Sequence, residues 1–342
     1  MRALVAGLRW FGGLSESVTA ALRANGLEVT EFTCRDYRRF GRNRILEAIH
    51  DRAKPFGLPF TDGLQRLDRH ICQAKLIRIA KDVKPDLFLV LDEDYVERAT
   101  VEAVRDLTGA ICAAWLVDDP FAMARFPFAA PVYHHVFVFD RHYVSSLRSF
   151  TAGEVSYLPL AGDDTIFYRT AKRQHGCCGL VHVGTWYAER ERTLLEARAD
   201  DLEIYGWDRR HCGALSGAVR ARRIPRAETN KLYNRAWAVL SLHHSQVKRA
   251  PTRVFDPALS GAFQLTEARD DHGELFEPGV ELETFRSYDE LHDKLGFYRD
   301  HVDTRNQIAR LGMLRAQREH TFRLRVQTLL KALGVKRQAV VR

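Results

Sequence analysis

The sequence predicts an α/β protein of two Rossmann-like domains, each a parallel sheet with covering helices, facing across a cleft, with a C-terminal helical tail. Three observations predict it. Apolar runs such as LFLVL at 87–91 are continuous rather than alternating, which suits parallel strands buried on both faces. Such runs alternate with helical patterns along both halves of the chain, the mark of doubly wound sheets. Between the two series the segment 159–173, PLAGDDTIFYRTAKR, interrupts the pattern and reads as a linker.

In the first half, residues 3–6 are apolar, residues 7–13 form a glycine loop, and Ser15 is expected to N-cap a helix ending at Asn25-Gly26. Leu14, Val18, Ala21 and Leu22 share one face of that helix. Further strands are expected at 27–32, 86–91, 110–117, 136–139 and 155–160. The second half supplies a strand at 180–183, a helix at 189–199, a strand at 202–205, a helix at 225–236 and a strand at 239–243. The run RVFDPALSGAFQLTEARDDHGELFEPG at 253–279 then gives a short helix with Arg253 and Asp256, a left-handed stop at Gly261 and a buried strand at 263–266. An acidic loop follows, then a turn at Pro278-Gly279 and a strand at 280–285. Ser287 with Glu290 forms a capping box that opens a long helical stretch. The expected domains are 1–165, 166–320 and a basic amphipathic tail at 321–342.

Composition narrows the function classes. The 342 residues are 46% hydrophobic and 28% charged, the balance of a soluble globular protein. No stretch approaches the ~20 apolar residues of a membrane span. The N-terminal MRALVAGLRWFGG reads as strand and glycine loop rather than signal peptide, and the six cysteines contain no CxxC pair, so a cytoplasmic location is expected. Of the net charge of +8, residues 305–342 contribute +9, with ten Lys or Arg against the single acid Glu319. The rest is near −1, which argues against a nucleic-acid-binding body. In the tail Phe322, Val326, Leu329, Leu330 and Leu333 recur at helical spacing. That face either meets an anionic membrane or acidic partner, peripherally at the inner face of a membrane, or packs on the body.

Several motifs sit where strands end, which is where open α/β sheets hold ligands. The loop containing Gly12 and Gly13 leads into a helix N-terminus, but it is not GxGxxG; it is either an anion contact or a tight turn. Asp92-Glu93-Asp94 has the look of a DxD metal motif, or of acids opening a helix. Asp118 and Asp119 close another strand before Pro120, where a carboxylate can orient or deprotonate an acceptor hydroxyl or cap a helix. His182-Val183-Gly184-Thr185, followed by Arg190, combines a strand, a glycine and a cation suited to a diphosphate. The Tyr205-Gly206-Trp207 turn offers an aromatic for a base. His243-His244 ends a strand, and since adjacent residues face opposite sides, the two cannot easily ligate one metal.

HVGTWYAERERTLL, DLEIYGW, KLYNRAWAVLSLHH, the 253–279 run and SYDELHDKLGFYRDH occur in the order seen in CgeB-like proteins. WLVDDP and YLPLAGDD extend the resemblance, which is specific over about 180–320 and looser over 1–165. CgeB-like proteins resemble glycosyltransferases of the GT-B fold. The resemblance implies a nucleotide-sugar donor held mainly by the second domain and an acceptor held mainly by the first. Arg253 would contact the donor phosphates. Asp256 stands where the family has a Glu that binds ribose. Gly184, Thr185, Arg190, Tyr205, Gly206, Trp207, His243 and Thr266 complete the expected donor site. Gly12, Gly13, Asp118 and Asp119 form the expected acceptor side. Related retaining transferases carry another Glu eight positions before the ribose carboxylate; here that position is Lys248, so retention is not implied. Lys248 or Arg249 would instead steady the leaving diphosphate, which suits a reaction without metal or other cofactor. The expectation is a cytoplasmic glycosyltransferase of cell-surface glycan synthesis. It would transfer a sugar to a hydroxyl of a glycan, lipid-linked glycan or protein, with Asp118, Lys248 and Arg253 as catalytic residues. The alternatives are an inactive GT-B-like binding or scaffold protein and a metal-dependent transferase using Asp92 and Asp94.

Overall fold

A computed structural model describes residues 1–7, 13–33, 59–91, 95–123, 126–170, 178–243 and 253–335. Gly12, Asp92, Asp94, His244, Lys248 and Arg249 lie outside the described residues. The chain divides into two compact units, Met1–Leu158 with Val326–Arg342, and Pro159–Arg325.

The first unit contains β1 (Arg2–Gly7), α1 (Leu14–Ala24), β2 (Glu28–Thr33), α2 (Pro59–Val83), β3 (Leu87–Val90), α3 (Arg98–Thr108) and β4 (Ile111–Leu116). It continues with α4 (Phe126–Ala129), β5 (His135–Val138), α5 (His142–Arg148) and β6 (Glu154–Tyr157). The strands form one sheet in the order β2-β1-β3-β4-β5-β6, every pairing parallel. All four residues of β3 are buried, as a strand covered on both faces requires. The start of α1 differs from expectation. Gly13, at φ 66°, occupies the N-cap position, and Ser15 is buried instead. The Ser15 hydroxyl oxygen stands 2.2 Å from where a Cβ on Gly7 would be, so Gly7 admits the helix against β1.

The second unit contains β7 (Cys178–Val183), α6 (Ala188–Glu196), β8 (Glu203–Tyr205), β9 (Val219–Ala221), α7 (Arg226–Arg235) and β10 (Ala236–Ser241). It continues with α8 (Phe255–Leu259), β11 (Gln264–Glu267), α9 (His272–Leu275), β12 (Glu283–Phe285), α10 (Tyr288–Asp300) and α11 (Val302–Glu319). Its sheet order is β12-β11-β10-β7-β8-β9, again all parallel. The three-residue β9 escapes the sequence pattern because it is too short to show periodicity. The strand expected at 280–285 shrinks to β12, since the Gly279 N–H donates to the Leu282 carbonyl at 2.7 Å and closes a turn there. Half of the capping box is present at α10: the Glu290 N–H donates to Ser287 Oγ at 3.2 Å, but the Glu290 carboxylate accepts the Arg286 N–H at 2.7 Å rather than that of Ser287.

The segment expected to be a linker is clasped to the second unit. The Gly162 N–H donates to the His320 carbonyl at 2.9 Å, and the Phe322 N–H donates to the Gly162 carbonyl at 3.0 Å. Asp163 pairs with Arg226 at 3.3 Å, and Asn230 and Asn234 accept the N–H groups of Tyr168 and Thr170. The last helix, α12 (Phe322–Ala332), starts in the second unit and ends in the first. Phe322, Val326, Leu329 and Leu330 are all 7% exposed or less, so its apolar face is already covered by the chain itself.

Gly312 in α11 meets the turn before β12: a Cβ there would stand 2.0 Å from the Glu281 carbonyl oxygen. In an exposed helix Gly→Ala gains about 1 kcal/mol. Here overpacking reverses the sign, and Gly312→Ala is expected to lose about 1–3 kcal/mol, read as a lower urea midpoint at unchanged m-value.

Candidate anion site at the strand ends of the second unit

From β7 the chain builds outward through β8 and β9, then returns to lay β10 on the other side of β7 and continues through β11 and β12. The order reverses between β7 and β10, and beyond the carboxyl ends of two such strands a parallel sheet opens a crevice. Gly184 follows β7 at this point. A Cβ on Gly184 would stand 3.0 Å from Arg253 Nη1, 3.2 Å from His182 Nε2 and 3.4 Å from Arg190 Nη1, so three nitrogens converge on one glycine.

Each cation is fixed by a carbonyl of the same loop. Arg253 Nη1 donates to the Val183 carbonyl at 3.2 Å, and Arg190 Nη1 donates to that of Thr185 at 2.8 Å. Arg190 projects from the first turn of α6, where helix N–H groups add a positive field. It is only 2% exposed, and its guanidinium lies over the Tyr187 ring at 4.7 Å. Arg253 precedes α8 rather than lying on it. Among the described residues neither arginine forms an ion pair. Burial, then the neighbouring Arg253, pulls the Arg190 pKa down to about 9, and burial lowers that of Arg253.

Gly206 makes the loop possible. At φ 99° it adopts a left-handed backbone, and a Cβ there would stand 2.3 Å from the Gly184 carbonyl oxygen. The Gly184 N–H donates to the Tyr205 carbonyl at 3.0 Å, which locks the ends of β7 and β8 together.

His182 is fully buried, and its Nδ1 lies 2.9 Å from the Leu240 carbonyl. A carbonyl only accepts, so Nδ1 carries the proton and Nε2 keeps a lone pair. Burial, with Arg190 and Arg253 nearby, lowers its pKa to about 3. On the β10 and β11 side, Thr266 Oγ1 donates to the Ser241 carbonyl at 2.8 Å and lies 2.8 Å from His243 Nε2. The His243 N–H donates to Glu267 Oε2 at 3.0 Å, and Glu267 also meets Arg269 at 3.5 Å. His272 follows on α9, its ring 6.0 Å from that of His243.

The structure therefore gathers Gly184, Thr185, Arg190, Gly206, His243, Arg253 and Thr266 of the expected donor residues. Trp207 is corrected: its ring is 1% exposed and packs in the core, edge-on to His182 at 5.8 Å, so it presents no face to a base. Tyr205 gives its hydroxyl to Glu203 at 2.9 Å. Asp256 sits at the start of α8, where Oδ1 accepts the Asp163 N–H at 3.4 Å and enclosure raises its pKa to about 6. In the first unit, Asp118 and Asp119 follow β4 as expected; Asp118 is exposed and Asp119 accepts the Phe121 N–H at 2.9 Å. Gly13 stands at the N-cap of α1. Sequence reasoning missed His182 as a site residue, and Glu267, Arg269 and His272 altogether. A histidine inside an apolar strand was the one signal available, since the others lay in what read as a solvated acidic loop.

Comparison with known proteins gives a family match and several likenesses of fold. The model of the Glycosyl transferase-like family matches residues 183–331, the stretch that carries the arginine site. No curated protein matches the chain in sequence. Among solved structures the chain is similar to sucrose-phosphate synthase (tll1590) from Thermosynechococcus elongatus, at 12% identity and TM-score 0.65, covering 98% of this chain and 99% of that one. It is similar to HepE (Alr3699) of Anabaena, solved with UDP-glucose, at 11% identity and TM-score 0.64, covering 98% and 100%. A glycosyltransferase from Rickettsia africae ESF-5 gives 10% identity and TM-score 0.64, covering 97% of each chain. These likenesses establish a GT-B fold of two Rossmann-like domains.

The histidines set a pH dependence. His320, whose Nε2–H donates to the Leu275 carbonyl at 2.6 Å, has a pKa lowered to about 4 by burial and Arg325. His272 is lowered to about 4 and His243 well below its usual value, both by burial first. The unfolded chain binds these protons below about pH 6.5 and the folded chain does not, so stability falls as pH drops. Asp256, raised to about 6, opposes this by one proton between the unfolded carboxyl value and pH 6. His182, lowered to about 3, adds a fourth such proton, so the net difference is about three protons and the expected loss about 4 kcal/mol per pH unit near pH 5, measured by urea unfolding from pH 7 to 4.5. A flat profile would contradict the neutral histidines.

Proposed function

We propose that the protein is a glycosyltransferase that binds a nucleoside diphosphate sugar in its second unit and passes the sugar to an acceptor hydroxyl. The observation that carries this reading is the convergence of Arg190 and Arg253 on Gly184, with no ion pair to either among the described residues, at the point where the strand order reverses. Two like charges held together in a low-dielectric setting oppose one another. An anion spanning both relieves that repulsion, and a diphosphate carries the required charge. The match to the Glycosyl transferase-like family over the same residues supports the assignment, as do GT-B relatives such as HepE, solved with UDP-glucose. Within that family the ordered motifs favour the CgeB-like group.

In the reaction the bond between the anomeric carbon and the diphosphate oxygen breaks, and a bond from the acceptor oxygen to that carbon forms. The diphosphate leaves with the bonding pair, and the acceptor proton passes to a base. Arg190 and Arg253, with the N-terminus of α6, would neutralise the leaving group, so no metal is required for that task. Lys248 would assist them, Asp256 would hold the ribose hydroxyls, and Asp118 would serve the acceptor hydroxyl. The acceptor would be a glycan, a lipid-linked glycan or a protein of the cell surface, and the setting cytoplasmic.

Thermal shift with a panel of UDP, GDP, TDP and CMP and their sugars tests the donor assignment. At least one nucleotide is expected to raise the melting temperature, by mass action on the folded state. Arg190→Ala and Arg253→Ala should each lower the affinity for that nucleotide about 10- to 100-fold, as loss of a charged hydrogen-bonding partner does, without unfolding the protein. An unchanged shift in Arg253→Ala would refute its phosphate role. Transfer should also persist in excess EDTA; its abolition would bring the metal-dependent alternative forward.

A further inference from the structure

The near-neutral balance of residues 1–304 conceals a separation of charge. Residues 209–226 hold six arginines and no acid, bounded by Asp208 and Glu228. They form the turns before β9, β9 itself and the start of α7, and β9 is an edge strand of the second sheet. Arg209, Arg210, Arg220, Arg222 and Arg223 are exposed. Arg210 and Arg222 share one carboxylate, that of Asp208, at 2.7 and 3.6 Å, and their side chains remain 76% and 70% exposed. Arg209 Nε donates to the Val219 carbonyl at 2.9 Å, and Arg220 Nη1 to that of Gly217 at 3.0 Å. Backbone carbonyls hold these two in place without neutralising them.

An apolar groove of about 370 Å³ runs beside this edge, between α6 and the segment 214–220. Leu194, Leu195, Leu202 and Leu215 line it, and Arg198 and Arg220 stand among them. Arg198 takes a left-handed backbone at φ 47° just after α6, a position that usually goes to glycine, so a strained residue supplies one of these cations. Leu195 is 44% exposed, and Trp186, 38% exposed, lies on the same side. The Trp186 Nε1–H donates to Glu191 Oε2 at 2.9 Å, and Glu191 Oε1 lies 3.6 Å from where a Cβ on Gly213 would stand. Leu195 follows Glu191 by one helical turn and so shares its face of α6. Arginines, an exposed leucine beside an apolar groove, and a tryptophan whose N–H is engaged within the protein thus occupy one side of the second unit.

Edge strands carry charge to deter pairing with other chains, but that asks nothing of the residues before and after the strand or of the apolar side chains beside it. A nucleic acid would neutralise the arginines and leave Leu195 and the groove in water. An anionic bilayer meets both needs. Its phosphates pair with guanidinium groups, its acyl boundary accepts an exposed leucine, and tryptophan favours the headgroup level between them. We propose that the β9 edge of the second unit docks on an anionic lipid bilayer, with Arg220, Arg222 and Arg223 on the headgroup phosphates and Leu195 entering the acyl boundary beside Trp186. The contact stands apart from the donor site and from α12, whose apolar face is covered by the chain itself.

Flotation of the full-length protein with vesicles tests this. The wild type is expected to partition onto vesicles of equal parts phosphatidylcholine and phosphatidylglycerol, and not onto phosphatidylcholine alone. Arg220→Gln, Arg222→Gln and Arg223→Gln together should weaken that partitioning about 100-fold, since each basic residue at an anionic surface is worth about fivefold. The same loss of charge at Arg310, Arg318 and Lys331, exposed on α11 and α12, should cost less than about 3-fold, because charges away from the contact are screened. Leu195→Ser should weaken partitioning about 10-fold, as withdrawal of a leucine from an apolar setting does. Tryptophan emission should shift to the blue on the mixed vesicles in the wild type and not in Trp186→Phe. All these positions are exposed, and an unchanged melting temperature verifies that each variant is folded. Absence of partitioning in the wild type, equal partitioning onto both vesicles, equal loss from the two charge triples, or no loss in Leu195→Ser would overturn the proposal. Tighter binding to poly(U) than to the mixed vesicles would overturn it as well and assign the edge to nucleic acid.

Discussion

The second unit is organised around two guanidinium groups held against the backbone of one loop. Arg190 and Arg253 both reach Gly184, and each ends on a carbonyl at or just beyond the end of β7, that of Thr185 for Arg190 and that of Val183 for Arg253. For this to happen the loop must lie flat on the next one, so Gly184 and Gly206 pack backbone to backbone. It also requires α6 to start beside β7 and α8 to follow β10, which the reversal of strand order brings about. Like charges in a poorly solvated place oppose folding, and their retention makes sense when an anion completes the site.

The two ends of this sheet are built on opposite principles. At the amino ends the polar groups close on one another. Trp237 Nε1 and Arg299 both donate to Asp201, and Lys294 and the Tyr298 hydroxyl both donate to Glu283. At the carboxyl ends, His182 Nε2, Arg190 Nε, His243 Nδ1 and His272 Nε2 have no partner. Satisfied networks hold a fold rigid, whereas enclosed, oriented and unsatisfied groups await something from outside. The same sheet therefore closes its polar groups on one another at one end and leaves several without a partner at the other.

The chain's basic end has a structural use. Leu329 and Val326 are completely buried, so the apolar face of α12 is not available to a lipid surface unless the helix leaves its place. The clasp at Gly162, between His320 and Phe322, ties the start of the second unit to the start of this helix. Arg325 adds donors to the Leu160 carbonyl and to His320 Nδ1. One arginine of the basic tail is thus committed to this junction.

Much of the fold is legible in the sequence because burial on both faces leaves an unambiguous trace. Runs such as FLV within β3 and AVL within β10 can hardly be anything but central parallel strands. Gly184, Arg190 and Arg253 were legible too, since a glycine after a strand and a cation near a helix start are local features. The partners of those residues were not. Trp207 reads as an aromatic on a turn, yet it turns inward because β8 is so short that its next side chain falls over the core. Ser15 reads as an N-cap, yet Gly13 takes that place because Gly7 leaves room for Ser15 beneath the helix. His272 reads as one polar residue in an acidic loop, and only the approach of β10 to β11 sets it beside His243. Periodicity is written residue by residue, so the sequence by itself determined the strands and their order of appearance. Hydrogen-bond satisfaction depends on atoms far apart in the chain, so only the tertiary structure decided which polar groups remain open to a ligand.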